Sequence, residues 1–330
     1  MDDRRGTKSV MLQALGQIAG RLLNDFRQSF ARQRKEEAHR QSISSPTSNF
    51  QPLQRVIITD GVGRTLFEEY AAHYAGTRGE EETGWVLLGL RHEDEALILA
   101  TLPAGGARDA GVGHVQFNSG GQIIGSRYVR QADRRLTILG IVHTHPGSLR
   151  HPSDGDFRGD SIWVRQLRGQ EGIFGIGTAD NIPVNGAEVA YQPRPHVQCL
   201  GKLRLSWYAL AGDEKNYRPL AADFTLGPDL ARPLHSVWGS IEKHAERIDR
   251  LCRQQAGITF EVSAGTKGPA LAVTVPLARP GHSLRVLLED ERICYYWLHD
   301  GETIAAEPHE ARIDRAVYLL LAELAAGDPE

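Results

Sequence analysis

Between residues 8 and 38, Met11, Leu15, Ile18, Leu22, Phe26 and Phe30 recur at steps of three and four, the period of one apolar helix face. This predicts an amphipathic helix over residues 1–40, followed over 41–52 by a polar Ser/Pro-containing linker. From residue 53 the period changes to short alternating or wholly apolar runs separated by turn residues. "RVIITD", "GWVLLGL", "ALILATL", "HVQFN", "LTILGIV", "GIFGIGTA", "EVAYQP" and "KLRLSWYAL" read as strands, the second and third as a hairpin across "RHEDE". "RTLFEEYAAHYAG", "GGQIIGSRYVRQAD" and "DGDFRGDSIWVRQLRG" read as helices. "LTILGIV" is almost entirely apolar, as suits a strand buried on both faces.

Near residue 222 the pattern changes again. "TLGPDLARP" has the turn chemistry of a boundary, with Pro233 suited to a first helical turn. Leu234, Trp238, Ile241, Ala245, Ile248 and Cys252 then form a helical stripe, too short for a coiled coil and expected to pack on the strands of its own domain. Strand-like "ITFEVSA", "ALAVTVPL", "SLRVLLED" and "RICYYWLHD" follow, the last two as a hairpin, and "PHEARIDRAVYLLLAELAAG" closes as a helix. The predicted organisation is an α/β domain over 53–222, with a mixed sheet and flanking helices, and a smaller α+β recognition or partner-binding domain over 223–330. The second is large enough to be an independent module.

Composition narrows the function classes. The 330-residue chain has 38 Lys+Arg against 41 Asp+Glu, a net charge of -3, which gives no general case for nucleic acid or an anionic membrane. Charge is uneven only at the N-terminus, where residues 1–40 carry nine Lys/Arg and five Asp/Glu. Cys199, Cys252 and Cys294 are odd in number and far apart, against both a disulfide framework and a thiolate zinc site. No apolar run could span a bilayer or serve as a signal peptide, so a cytoplasmic protein without a membrane span is expected. The N-terminal helix could promote self-association.

The chemistry concentrates in "HTHPGSLRHPSDGD", residues 143–156. If the preceding strand stays extended to His145, His143 and His145 project from one face. Pro146 and Gly147 end the strand, and Ser153 can cap a helix that carries Asp156 in its first turn. Two neutral imidazoles and one carboxylate suit one Zn²⁺ and leave a fourth position for a catalytic water. Hydrolysis of a peptide or amide also needs a proton carrier and an oxyanion donor. Ser153 can donate; for the proton carrier, "GEEETGWVLLG" offers Glu80, Glu81 and Glu82, of which Glu82 stands nearest the buried strand. His151, inside the loop, could also reach a metal. Taken singly, Ser153 and Asp156 match a capping box, and an isolated HxH is more often structural.

H-T-H, seven residues, then S-x-x-D, with E-T-G before a hydrophobic strand upstream, resembles the JAMM (MPN-type) zinc metallopeptidases that remove ubiquitin and ubiquitin-like modifiers. That resemblance implies His143, His145 and Asp156 as zinc ligands, Glu82 as general acid/base, Ser153 as oxyanion donor, and a JAMM-like fold for 53–222. It does not extend to the N-terminal helix or to 223–330.

The activity it implies is an isopeptidase or peptidase cutting after the C-terminal glycine of a ubiquitin-like protein, for maturation or deconjugation. Such enzymes occur in bacterial ubiquitin-like conjugation systems linked to phage defence, with activating and conjugating enzymes of the same operon as partners. An extended modifier tail could add as a strand beside "ALILATL" or "HVQFN". Maturation of a sulfur-carrier protein is a close alternative, and a metal-free JAMM-like binding scaffold is one of a different class. A DNA-repair-associated relative is a third, opposed by the lack of a helix-hairpin-helix pattern and of a basic face.

Overall fold

The computed structural model describes residues 50–327 apart from 107–109, 112–113, 116, 148, 180–189 and 291. The helix expected over 1–40, most of its linker and residues 328–330 lie outside the described residues.

Strand β1 (Arg55–Thr59) leads into helix α1 (Asp60–Ala75). The Thr59 side chain accepts a hydrogen bond from the Val62 amide, so the helix begins four residues before "RTLFEEYAAHYAG". The expected hairpin is β2 (Gly84–Arg91) and β3 (Glu95–Pro103). "HVQFN" gives less than expected. Among its described residues only His114–Val115 pair, as β5 with β4 (Ala110–Gly111), and Asn118 instead caps helix α2 (Ser119–Ala132) by accepting from the Gly121 amide. Asn competes well for a helix N-cap and poorly for a strand.

Strand β6 (Thr137–Thr144) leads to the site loop and helix α3 (Asp154–Trp163). Two short 3₁₀ turns then lead to β7 (Glu171–Ala179). Strands β8 (Ala190–Arg194), β9 (Val197–Leu200), β10 (Leu203–Ala211), β11 (Arg218–Pro219) and β12 (Ala221–Thr225) complete the first sheet. Its order is β12-β1-β3-β2-β6-β7-β10-β9-β8, with β11 on β10, and its pairing is mixed parallel and antiparallel. Strand β12 brings the chain back parallel to β1 and carries this sheet to Thr225.

Both faces of β2 are buried because successive side chains alternate across the sheet. Trp85 and Leu87 enter a core with Val62, Leu66 and Tyr70 of α1, whereas Val86 and Leu88 enter a second core with Ile124 and Val129 of α2. The site strands thus sit centrally in an α/β sandwich.

A separate five-stranded antiparallel sheet follows in the order β13-β14-β15-β16-β17. Its members are β13 (Thr259–Ala264), β14 (Pro269–Pro276), β15 (Ser283–Leu288), β16 (Ile293–His299) and β17 (Glu302–Ala306). Helices α4 (Trp238–Gln254) and α5 (Ile313–Gly327) accompany it, with the Pro233 turn just before α4.

The α4 stripe does more than cover its own strands. Trp238, Ile241, Ala245 and Ile248 belong to the same continuous core as α2. A Cβ on Gly121 or Gly125 of α2 would stand 3.2 or 3.1 Å from the Trp238 ring, so these glycines leave its slot open. The Gln131 side chain of α2 also exchanges two hydrogen bonds with the Phe260 backbone of β13, at 2.9 and 2.6 Å.

Candidate metal centre

The site assembles where the end of β6 meets the entry to β2 and the N-terminus of α3. His143 pairs with Gly84 in the β2–β6 register, and the ladder continues as the Thr144 amide donates to Thr83 O at 2.9 Å. Glu82 and His145 therefore face each other one step further on, and directly opposed antiparallel residues share a sheet face. Gly84 itself has no room for a side chain, since a Cβ there would lie 2.6 Å from Val142 O. On the other side, the His145 amide donates to Gly177 O of β7 at 2.8 Å, which holds the strand extended through the second histidine.

Ser153 caps α3 as expected. Its Oγ accepts from the Asp156 amide at 3.2 Å, while an Asp156 carboxylate oxygen accepts from the Ser153 amide at 2.6 Å, a reciprocal capping box. The capping and ligating readings of these residues thus coexist. Because Ser153 Oγ accepts within the cap, its O–H proton is left to donate elsewhere.

His143, His145 and Asp156 present ligand atoms all within 4.8 Å of one another. Nε2 of His143 and Nε2 of His145 are 3.0 Å apart, and they lie 3.4 and 3.5 Å from separate Asp156 oxygens. Bonds of about 2.0–2.1 Å to a tetrahedral ion would separate ligand atoms by about 3.3 Å. The two nitrogens are near that separation and each has a carboxylate oxygen close by, so the donor set fits a divalent transition ion in chemistry and in proximity. His145 Nδ1–H donates to Leu149 O at 2.8 Å, which leaves its Nε2 lone pair facing the cluster.

The electrostatics agree with a cation-binding pocket. Burial alone would raise the Asp156 pKa, but hydrogen bonds from His143 and His145 hold it well below the ordinary carboxylate range. At His145 burial works against the imidazolium, yet Asp156, Leu149 O and Glu82 together raise its pKa. Glu82, buried beside them, is pushed up to about 8, chiefly by desolvation and further by Asp156, with His145 acting against the shift.

The neighbouring glutamates separate clearly. Glu80 is exposed, and Glu81 accepts from Arg78 Nε at 2.6 Å, whereas Glu82 alone of the three is buried at the cluster. His151 is exposed, its ring nitrogen meets the adjacent Pro152 carbonyl, and it is not one of the three clustered donors.

Two residues at the site escaped the sequence reading. Asp160 lies one helical turn after Asp156, and its carboxyl accepts from Tyr217 Oη at 2.7 Å. Burial raises its pKa well above the usual value; the Tyr217 bond opposes the shift and the Asp156 charge adds to it. Tyr217 packs edge-on against Phe157 of α3 and Phe174 of β7. The pair thereby fixes the helix that carries Asp156. The D-x-x-x-D spacing was visible in the sequence, but only tertiary structure brings Tyr217 to it.

Residues 64–182 match the Prok-JAB family, prokaryotic homologs of the JAB domain, a span containing Glu82, His143, His145, Ser153 and Asp156. The sequence resemblance to JAMM-type proteins stands for this segment. No curated protein matches the chain. The solution structure of protein DSY2949 from Desulfitobacterium hafniense shares 15% identity, covering 52% of this chain and 94% of its own with a TM-score of 0.33. At that score the likeness bears on neither fold nor function.

Proposed function

We propose, with the likeness of residues 64–182 to prokaryotic JAB-domain homologs as the premise, that this chain is a zinc-dependent peptidase or isopeptidase. Its substrate is the peptide bond after the C-terminal glycine of a ubiquitin-like protein. The observation that carries this reading is the buried Glu82 carboxyl on the same face as the closely spaced His143, His145 and Asp156 donors. A binding scaffold needs neither that spacing nor a buried acid beside it.

Zn²⁺, when bound, supplies an acidified water and polarises the scissile carbonyl. Glu82 takes the proton of the attacking water and returns it to the leaving amine. Burial favours the protonated form of Glu82 at neutral pH; beside a bound cation its carboxyl would ionise more readily, bringing it towards the range suited to both transfers. Ser153 Oγ–H donates to the developing oxyanion. Leu149 O fixes the His145 tautomer, and the capping box fixes Asp156.

One expected route for the modifier tail is closed. Strand β3, which contains "ALILATL", pairs along one side with β2, and its other side is covered by β1 as far as Ile98 and then by Asp229, Leu230 and His235. The short β4–β5 ribbon beside the site is the better candidate, since Gly111 O accepts from the Glu82 amide at 2.9 Å. A tail laid along it would bring its terminal peptide bond to Glu82, and a glycine would fit the closest approach. Among the described residues, no helix is long and apolar enough to cross a membrane.

The test is hydrolysis of a ubiquitin-like protein carrying a C-terminal extension, with zinc content measured in parallel. Wild type should cut after the glycine, Glu82→Gln should keep zinc and lose cleavage, and His143→Ala should lose both. A chain that holds no zinc after reconstitution and still binds modifier would replace this reading with the scaffold.

A further inference from the structure

A second histidine–aspartate cluster lies at one end of the five-stranded sheet. β15 and β16 pair with Ser283 opposite Leu298, so His282 and His299 face each other one step beyond. Their rings stand 4.3 Å apart between centroids. His282 is held by a closed loop in which its amide donates to Arg279 O and its carbonyl accepts from the Leu277 amide. His299 packs against the Trp297 ring at 5.0 Å.

The third member comes from the next turn. Asp300 and Gly301, with φ of 47° and 87°, form the two-residue connection between β16 and β17. Asp-Gly is well suited to that left-handed hairpin turn. The turn directs the Asp300 carboxylate back over both rings, with Oδ1 3.3 Å from His282 Nε2 and Oδ2 3.5 Å from His299 Nδ1. All three ligand atoms lie within 4.8 Å of one another.

We propose that His282, His299 and Asp300 form a second divalent transition-metal site, outside the JAB-like segment. The donors are again two imidazoles and one carboxylate, whose ligand atoms lie near enough for small side-chain rotations to converge them on one ion. Imidazoles disfavour Ca²⁺ and Mg²⁺, which take oxygen donors, and favour ions of the Zn²⁺ class. Three protein ligands leave the fourth position to water, on the side where Asp300 is exposed. A bound ion would tie the β14–β15 loop to the β16–β17 turn.

The test uses the full chain, stripped with a chelator, equilibrated with Zn²⁺ and desalted before elemental analysis. Wild type should hold about two zinc ions, His143→Ala and His299→Ala about one each, and the double variant almost none. In the His143→Ala background, Asp300→Asn should weaken Zn²⁺ binding roughly 100-fold, and Asn keeps the turn because it tolerates positive φ. Circular dichroism of each variant checks that the fold survives. If the cluster is only an ion-paired contact, His299→Ala and Asp300→Asn will leave zinc content and Kd unchanged, which overturns the proposal. Failure at the first site would instead appear as unchanged zinc in His143→Ala alone, so the two readings fail separately.

Discussion

The two His-His-Asp clusters share a donor set, and in each the carboxylate offers one oxygen to each imidazole. What surrounds them differs. At His143, His145 and Asp156, a buried Glu82 stands on the same face, Leu149 O fixes a ring, and a capping box holds the carboxylate. At His282, His299 and Asp300, the groups sit on hairpin connections, and the carboxylate is mostly in solvent. A converging donor set can hold a metal ion. Catalysis additionally requires a proton carrier and an oxyanion donor built around it, the roles proposed for Glu82 and Ser153 at the first cluster.

Removing a ligand tests that difference most severely. His145→Ala should abolish zinc at the first site and lower kcat/KM on the order of 10⁴-fold or more, because Lewis-acid stabilisation worth several kcal/mol is lost. His299→Ala should remove a comparable amount of zinc without a comparable loss of rate. Equal rate losses in steady-state assays would break the comparison.

Glu82→Gln should come next, with kcat reduced about 10³-fold at unchanged zinc content. The amide keeps size and polarity but cannot carry the proton. A variant that stays within tenfold of wild type would exclude Glu82 as the base. Ser153→Gly should lower kcat about 10²-fold. Glycine is the informative replacement, since at an N-cap it costs only a few tenths of a kcal/mol, whereas alanine costs about 1 kcal/mol. A matching fall in thermal stability would mean that the cap, rather than the oxyanion contact, accounts for the loss.

Much of the first cluster was legible because its information is local. The apolar run of β6 fixes extended backbone, a two-residue step puts both histidines on one face, and Ser153 marks the helix start. Choosing Glu82 over Glu81 needed only the pairing register and the Arg78 contact. The second cluster was hidden because His282 and His299 meet through a register that the sequence does not encode locally. Strand β17 was missed for a related reason: it is an edge strand exposed along nearly its whole length, so it carries no inward-outward alternation. Strand β12 pairs with β1 across most of the domain, and its exposed Asp223, Phe224 and Thr225 give it no inward-outward alternation. The shared core of α2 and α4 was likewise invisible, because only tertiary structure brings Trp238 over Gly121 and Gly125.

The smallest expected effect is on stability, and it comes from the group that most separates the two regions. In the metal-free chain Glu82 has its pKa raised from 4.5 to about 8, so across that window the folded state holds a proton that the unfolded state has released. Raising pH then favours unfolding. His145, also raised, acts in the same sense as pH climbs through its folded value. Asp156 is depressed, so its contribution is lost only as pH falls below its ordinary 3.8, outside the window. Denaturant titrations of apo protein should show stability falling between pH 5 and 8 by at most about 1.4 kcal/mol per unit for each group that holds an extra proton, less where partial solvation screens it. Glu82→Gln should flatten most of that slope, and saturating zinc should flatten it as well by favouring the ionised carboxylate. A slope unchanged by Glu82→Gln would mean that Glu82 is ionised throughout, leaving the first cluster without the protonatable neighbour that distinguishes it from the second.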